Sequence, residues 1–468
     1  MTSLRPRQAQ AINDIRVAYR AGYRAPILCA ATGFGKTHTS AAIIQSALDK
    51  GKTVWFLAHL REILNDTSSR LKQAGISFGE IAAGKPLEYH KRVQLVSVQT
   101  AVRRTDLPQP DLVIVDECHL AAAKTYKVVL GRAGNPALLG LTGTPCRLDG
   151  KGLDEMFDTI VPTCSTDDLI DEGLLAPIVY FAPERPDLSK VKTFAGDYKV
   201  NELAHVMDNP DLTGRAVEQY MLHCDGAKAV VFCTGIDHAE NVAETFRLAG
   251  YKAVAISGKT KPPEREAALT GLRNGELQVV CNAKLWSAGV DIPQLECIIL
   301  LRPTKSLTFY LQAIGRGLRT SPGKNNLVVL DHSGSIFQFG PPGMARKWSL
   351  RGRDKREQAD PVKQCPACFC CHKPAPQCPE CGFIYPVDDK RDLNQSDDDL
   401  VELTSDEMLA MERRINAKKS KEESLRRQKE VGQARTLDTL VLLGTSRGYR
   451  FPVQWARKIL NSRAIKRK

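Results

Sequence analysis

The chain contains no run of about 18 consecutive apolar residues, so a hydrophobic membrane-spanning helix is excluded. The opening residues Met1–Gln8 lack the apolar centre of a secretory signal, so a cytoplasmic location is expected. Acidic charge is in deficit. Lys and Arg number 66 against 53 Asp and Glu, a formal net charge of +13. That favours a polyanionic partner, with a generally basic soluble protein as the alternative. Cysteine is unevenly used. Eight of the fourteen are scattered, mostly in apolar runs (Cys29, Cys233, Cys281, Cys297), and read as buried thiols in a reducing compartment. The other six crowd between Cys365 and Cys381, a spacing that asks for a metal.

With 468 residues and 43 % apolar content, two or three domains with real cores are expected. The most informative stretch is Ala30–Thr37, entered from the apolar run Ala25–Cys29 and followed by an Ala-rich helical segment. Strand, glycine loop and helix together form the context of a phosphate-binding loop, even with Ala30 in place of the usual first glycine. Gly33 and Gly35 let the backbone amides of Thr32, Phe34 and their neighbours curl toward phosphate oxygens. The helix N-terminus adds partial positive charge. Lys36 would reach the β- and γ-phosphates, and the Thr37 hydroxyl would ligate Mg²⁺.

Apolar strands alternate with helical segments on either side of a less regular middle. Candidates are Thr53–Ala58, Val93–Val98, Leu112–Val115 and Leu138–Leu141, then Lys228–Cys233, Val254–Ser257, Gln278–Cys281 and Cys297–Leu301. Such strands imply parallel sheets covered on both faces, with ligands at the strands' carboxyl ends. Asp116 and Glu117 follow one strand. Asp116 is placed for Mg²⁺ and Glu117 for orienting and deprotonating an attacking water. The second half has no phosphate loop of its own but supplies Gln312, Arg316 and Arg319. The two arginines, three residues apart, are expected on one helical face, where planar guanidinium groups suit a γ-phosphate transition state. One nucleotide clamped between two lobes is the expectation. A Gln some thirty residues before a phosphate loop, here Gln8, can read adenine with its amide or be simply a helix-start residue.

Asp116-Glu117-Cys118-His119 resembles the second motif of the superfamily 2 helicases. Ala30–Thr37 is similar to their first, Thr142–Pro145 to their third, Ser287–Asp291 to their fifth and Gln312–Arg319 to their sixth. Gln8 is similar to their adenine-reading glutamine, with Arg7 where an aromatic is common and available to stack on the base. The longer match, through Arg302–Ser306, Tyr310 and Val329–Gly334, resembles bacterial RadD-like helicases and their phage relatives over residues 4–385. The resemblance implies an α/β fold of two tandem RecA-like, doubly wound parallel-sheet lobes, and a DEAD/DEAH-like, ATP-dependent DNA helicase or translocase of repair or recombination. It would act in a bacterial cytoplasm or nucleoid, encoded by the bacterium or by a phage. Implied nucleotide contacts include Gly289 and Asp291. Implied coupling residues are His119, Thr142, Thr144 and Gln312. Nucleic-acid contacts are expected at His59, Arg61, Thr100, Thr234, Asn282 and Lys284.

Cys365-Pro366-Ala367-Cys368 and Cys378-Pro379-Glu380-Cys381 form paired knuckles separated by nine residues, the geometry of one structural Zn²⁺. Disulfides are the rival, and Cys370, Cys371 and His372 are alternative ligands. The expected organisation is a first lobe at 1–165, a connector at 166–225, a second lobe at 226–340, a basic linker at 341–364, a zinc module at 365–386 and a charged, helical, basic tail at 387–468. The linker, with Arg346, Lys347, Arg351, Arg353, Lys355 and Arg356 around Trp348, could grip phosphates or be plainly solvated. Single-stranded or branched DNA is the expected partner, with single-strand-binding or recombination proteins as further candidates. Three other readings stay open: an ATP-gated DNA clamp with little unwinding, an RNA helicase, and the motor of a restriction system whose cutting subunit is another chain.

Overall fold

Strands that are apolar on both faces must be covered on both faces, and here they form two all-parallel sheets. The computed structural model describes residues 4–147, 152–183, 186–194, 196–283, 292, 294–352, 361–386, 434, 436–446 and 452–465; the side chains of 458–459 and 461–465 are left aside. The first sheet contains β1 (Pro26–Cys29), β2 (Val54–Ala58), β3 (Gly79–Ile81), β4 (Val93–Ser97), β5 (Leu112–Asp116), β6 (Ala137–Thr142) and β7 (Thr159–Pro162) in the order β3-β4-β2-β5-β6-β1-β7. β5, β6 and β1 are consecutive neighbours, so Asp116, Thr142 and the Ala30–Thr37 loop meet at one edge. Ile27, Trp55, Leu57, Val113 and Val115 belong to the core that fixes this register.

The second sheet contains β8 (Ile178–Phe181), then, beyond a small hairpin of β9 (Thr193–Phe194) and β10 (Asp197–Tyr198), β11 (Ala229–Cys233), β12 (Ala253–Ser257), β13 (Val279–Ala283), β14 (Cys297–Leu300) and β15 (Leu327–Asp331). Its order is β12-β13-β11-β14-β15-β8, again wholly parallel. Two doubly wound parallel-sheet α/β lobes are thus present, as expected. The stretch expected as a connector contributes directly to the second lobe: β8 is an edge strand of the second sheet, and Tyr220 packs edge-on against Phe246 and Tyr251 at 5.3 and 5.0 Å. β3, β7 and β8 are short edge strands with mixed burial, which is why no apolar run announced them.

The segment expected as a basic linker, either gripping phosphates or plainly solvated, is instead packed on the protein over 341–350. Gly343 O accepts from Asp167 N at 3.1 Å, Leu350 O accepts from Leu153 N at 2.6 Å, and Leu350 packs on the first lobe's core. Arg346 spends its guanidinium on the carbonyls of Phe339, Pro341, Pro342 and Met344 at 3.0–3.4 Å. Arg346 therefore stiffens this strap, and its guanidinium is committed to carbonyls where a phosphate contact was one of the two readings. Arg353, Lys355 and Arg356 lie outside the described residues.

The chain divides into two units, residues 1–220 with 224–362 and residues 221–223 with 363–468. The second holds the cysteine module and a helical pair, Leu437–Ser446 and Pro452–Ile465, closed over buried Leu440 and Ala456 by Trp455 and Leu460. The helix expected over Glu407–Lys429 and the side chain of Ile459 lie outside the described residues. No helix among the described residues is long and apolar enough to cross a membrane.

Gly140 on β6 is a packing requirement: a Cβ there would sit 2.8 Å from both Cys118 Sγ and Phe157 Cε1. Gly140→Ala is expected to cost about 1–3 kcal/mol and lower the thermal unfolding midpoint. Gly131, helical and facing open space, is the control, and its replacement by Ala is expected to leave that midpoint unchanged or raise it slightly.

Candidate active site

The loop after β1 has Gly33 at φ +88° and Gly35 at φ +94°, conformations that L side chains avoid. Lys36 opens the helix Lys36–Leu48, and its Nζ donates to Ala30 O at 3.0 Å across the loop. Phe34 turns its ring into the core, 1 % exposed, which leaves only its backbone to a ligand. Its carbonyl accepts from Gln8 Nε2 at 2.9 Å and from Arg5 Nη2 at 2.5 Å, while Gln8 Oε1 accepts from Arg5 N at 3.0 Å. Gln8 is thus buried with both ends of its amide engaged as a brace on the loop. Arg5, passed over in the sequence, shares that work. Arg7 does not stack toward the site: it pairs with Glu172 and stands 4.0 Å from Asp168.

Asp116 ends β5, and Glu117 follows at φ 48°, ψ 51°. A left-handed glutamate costs roughly 1–3 kcal/mol, and such strain persists where neighbours over-determine it. Here His119 Nδ1 lies 3.3 Å from Glu117 Oε2 and 3.1 Å from Thr142 Oγ1. Thr142 Oγ1 also accepts from Thr144 N at 3.1 Å, and Thr144 Oγ1 donates to Thr308 Oγ1, in the second lobe, at 2.9 Å. The chain His119–Thr142–Thr144–Thr308 therefore runs from the acidic pair to the opposite lobe, and all four residues are buried. Burial and the Glu117 carboxylate push Asp116 up from the usual carboxylate range. Burial would do the same to Glu117, but the His119 hydrogen bond and the charges of Lys36 and Arg316 outweigh it and hold Glu117 down.

From the second lobe, the helix Leu307–Gly315 brings Gln312 inward and stops one residue before Arg316. Arg316 and Arg319 thus share no helical face; they flank a turn. Leu318 O accepts from Ala176 N at 2.7 Å, Arg319 bridges to Leu175, and Lys324 Nζ donates to the carbonyls of Gly317 and, at 2.9 Å, Arg319. Lys324 is a brace that no motif signalled. The arginines still converge: a cavity of about 610 Å³ is lined by Gln8, Thr32, Lys36, Thr37, Asp116 and Glu117 on one side and by Gln312, Arg316 and Arg319 on the other. Its size suits a nucleotide. Burial lowers the pKa of Arg316 against the opposing pull of Glu117, so an anion entering here meets a poorly solvated cation. Glu62, Asp66 and Arg70 of the helix Arg61–Gln73 also line it, although only their position after β2 could have flagged them.

The residues expected to touch nucleic acid are spread differently. Arg61 is exposed at a helix start, and Thr100 is half-buried in the short helix Val98–Ala101. His59 is half-buried and lies near His119 and Glu117, and burial followed by the His119 charge lowers its pKa. Thr234 and Asn282 are each 1 % exposed, Thr234 held by His238 Nδ1 at 2.8 Å. Lys284, Gly289 and Asp291 lie outside the described residues.

In the second unit, the sulfurs of Cys365, Cys368, Cys378 and Cys381 all lie within 4.8 Å of one another. Cys365 and Cys381 are 3.6 Å apart, Cys368 and Cys378 3.8 Å. A tetrahedron with metal–sulfur bonds of about 2.3 Å has sulfurs about 3.8 Å apart, so this set fits a bound zinc ion. Cys370 and Cys371 stand in the turn and hairpin between, where β16 (Lys363–Gln364) pairs with β17 (Cys371–His372). His372 is engaged with the Tyr385 hydroxyl at 2.8 Å.

Gln8→Ala removes one of the two donors on Phe34 O and is expected to weaken nucleotide binding about tenfold in an equilibrium titration.

Residues 1–147 match the family described as Type III restriction enzyme, res subunit, and residues 214–321 match the helicase conserved C-terminal domain. A 51.5 kDa protein of a Lactococcus phage (isolate 7-9) is 29 % identical over 86 % of this chain and 87 % of its own. The Saccharomyces cerevisiae protein provisionally named ATP-dependent helicase IRC3 is 28 % identical over 71 % of this chain, which spans only 52 % of that longer protein. In fold, a fragment provisionally assigned as the HsdR subunit of a type I restriction enzyme from Vibrio vulnificus YJ016 superposes with a TM-score of 0.57 at 22 % identity, over 71 % of this chain and 64 % of the other. With both lobes matched and one cavity lined by residues of each, the chain belongs to the superfamily 2 helicases.

Proposed function

We propose that this chain is a DNA-dependent ATPase that converts ATP hydrolysis into movement along DNA, in repair or recombination. The observation that carries the reading is the cavity lined by Lys36, Thr37, Asp116 and Glu117 from one lobe and Gln312, Arg316 and Arg319 from the other. Lys36 and the loop amides would hold the β- and γ-phosphates. Thr37 and Asp116 would hold Mg²⁺, which neutralises phosphate charge. Glu117, kept ionised by His119, would accept the proton of the attacking water. Arg316 and Arg319 would meet the charge that develops on the transferred phosphoryl group. His119, Thr142, Thr144 and Thr308 form a hydrogen-bonded path by which a change at Glu117 would reach the other lobe, and alternate closing and opening would shift the grip on the strand. The four-cysteine set would hold one structural Zn²⁺, with no position left for substrate.

The restriction-subunit description of the first-lobe family supports a second reading, the motor of a cutting assembly whose nuclease is another chain.

DNA is expected to stimulate ATP hydrolysis more than RNA of the same sequence does. Glu117→Gln is expected to lower the turnover by about 10²–10⁴-fold, and Arg316→Ala by about 10³–10⁵-fold. A Glu117→Gln protein turning over at the normal rate removes that residue from its role. Strand displacement measured beside ATPase activity separates a motor from a clamp: stimulated hydrolysis with neither displacement nor translocation overturns the motor. Metal analysis is expected to find one zinc per chain, lost in Cys378→Ala.

A further inference from the structure

Phe194 is 74 % exposed, against 43 % for Tyr23, the only other aromatic among the large exposed hydrophobic residues described. A ring of that size kept in water contributes nothing to the core. It sits on the β9–β10 hairpin, paired across from Asp197, with Gly196 at φ +90° before the second strand. Lys190, Lys192 and Lys199 flank it in sequence, and Lys305 meets the hairpin through its backbone amide. Lys190, Lys192 and Lys305 are exposed and form no ion pair among the described residues, while Lys199 pairs with Glu202 at 3.5 Å. The Lys305 ammonium lies 5.0 Å from the Tyr198 ring.

The hairpin is anchored. Asp197 accepts from Lys305 N at 2.8 Å, Thr304 Oγ1 at 2.9 Å and Arg302 Nη2 at 3.4 Å. Those three residues leave the carboxyl end of β14, the sheet edge where ligands of parallel sheets bind. Arg302 in turn stacks 4.4 Å from the Phe309 ring, which packs edge-on to Phe232 at 5.7 Å. Phe309 belongs to the helix that carries Gln312 and leads into Arg316. An exposed ring amid unpaired cations is the composition that binds single strands: bases stack on the ring and phosphates meet the lysines.

We propose that the Lys192–Lys199 hairpin is a base-stacking contact for single-stranded nucleic acid, with Phe194 as the platform and Asp197 as the joint that fastens it to the segment leading into the Leu307–Gly315 helix. The proposal rests on the nucleic-acid-dependent reading given above and adds a specific contact to it. Through Asp197, Arg302 and Phe309, a strand held at the hairpin would bear on the residues that line the nucleotide cavity.

The test uses the full chain and a single-stranded oligonucleotide carrying 2-aminopurine. Wild-type protein is expected to bind it and quench the 2-aminopurine emission. Phe194→Ala, with an unchanged circular dichroism spectrum and melting midpoint, is expected to bind about 5- to 100-fold more weakly and to lose the quench. Phe194→Trp is expected to retain both, and Phe194→Leu to lose the quench as Ala does. Asp197→Ala is expected to keep the quench while losing stimulation of hydrolysis by the oligonucleotide. Equal affinity and quench in wild type and Phe194→Ala overturn this inference alone. Retention of affinity by Leu also overturns it, because apolar docking would then suffice. If wild-type protein binds no nucleic acid, the functional reading falls too.

Discussion

Arg316 reaches the cavity between the lobes because residue 315 has no side chain. A Cβ at Gly315 would lie 2.5 Å from Thr32 Cγ2, so the second lobe's helix can end against the phosphate loop only as glycine. That approach places a guanidinium, starved of water by burial, in the field of Glu117. Two opposite charges taken out of solvent are costly unless their geometry and remaining partners are satisfied. The Glu117 carboxylate has His119 Nδ1 at 3.3 Å and the charge of Lys36 beside it, and Arg316 lines the same cavity as Glu117 and Lys36. Lys36 of one lobe and Arg316 and Arg319 of the other therefore share one cavity, so an anion bound there would draw on both lobes at once.

Closure has two further fastenings. The Thr144–Thr308 hydrogen bond joins the lobes through buried hydroxyls, so its loss leaves unsatisfied polar groups in a dry environment. The 341–350 strap leaves the second lobe and packs Leu350 against the first lobe's core. It also covers a smaller cavity of about 280 Å³ that Lys36, Glu117 and Gln312 share with the nucleotide site and that Trp348 lines. A tether of this kind restricts how far the lobes can part and keeps Gln312 near the loop it answers to.

The cysteine module follows a separate logic. Segments this short bury too little apolar surface to fold alone, and the four sulfurs would replace a core by a shared metal. Phe369 adopts φ +64° directly after Cys368, and Gly382 φ +73° directly after Cys381, so each knuckle turns back on itself just past its second thiolate.

Much of this was legible without coordinates, for a physical reason in each case. Strands such as Val54–Ala58 and Val93–Ser97 are buried on both faces, and an unbroken apolar run admits few other readings. The Gly33–Lys36 loop, the Asp116–Glu117 pair and the two cysteine knuckles are local in sequence, so their chemistry shows in their spacing. What tertiary structure decided is everything that depends on contacts between distant segments. β8 joins the second sheet by pairing with β15, a partner some 150 residues away in the chain. Gln8, whose sequence neighbours leave it undetermined, becomes a brace because Phe34 O lies within reach. Arg346, one basic residue among several, is absorbed by four carbonyls that only a curled strap presents together. Composition and spacing fix which chemistry is available; long-range packing alone determines which donor meets which acceptor, because chain connectivity places no constraint on pairs so far apart until the core has formed.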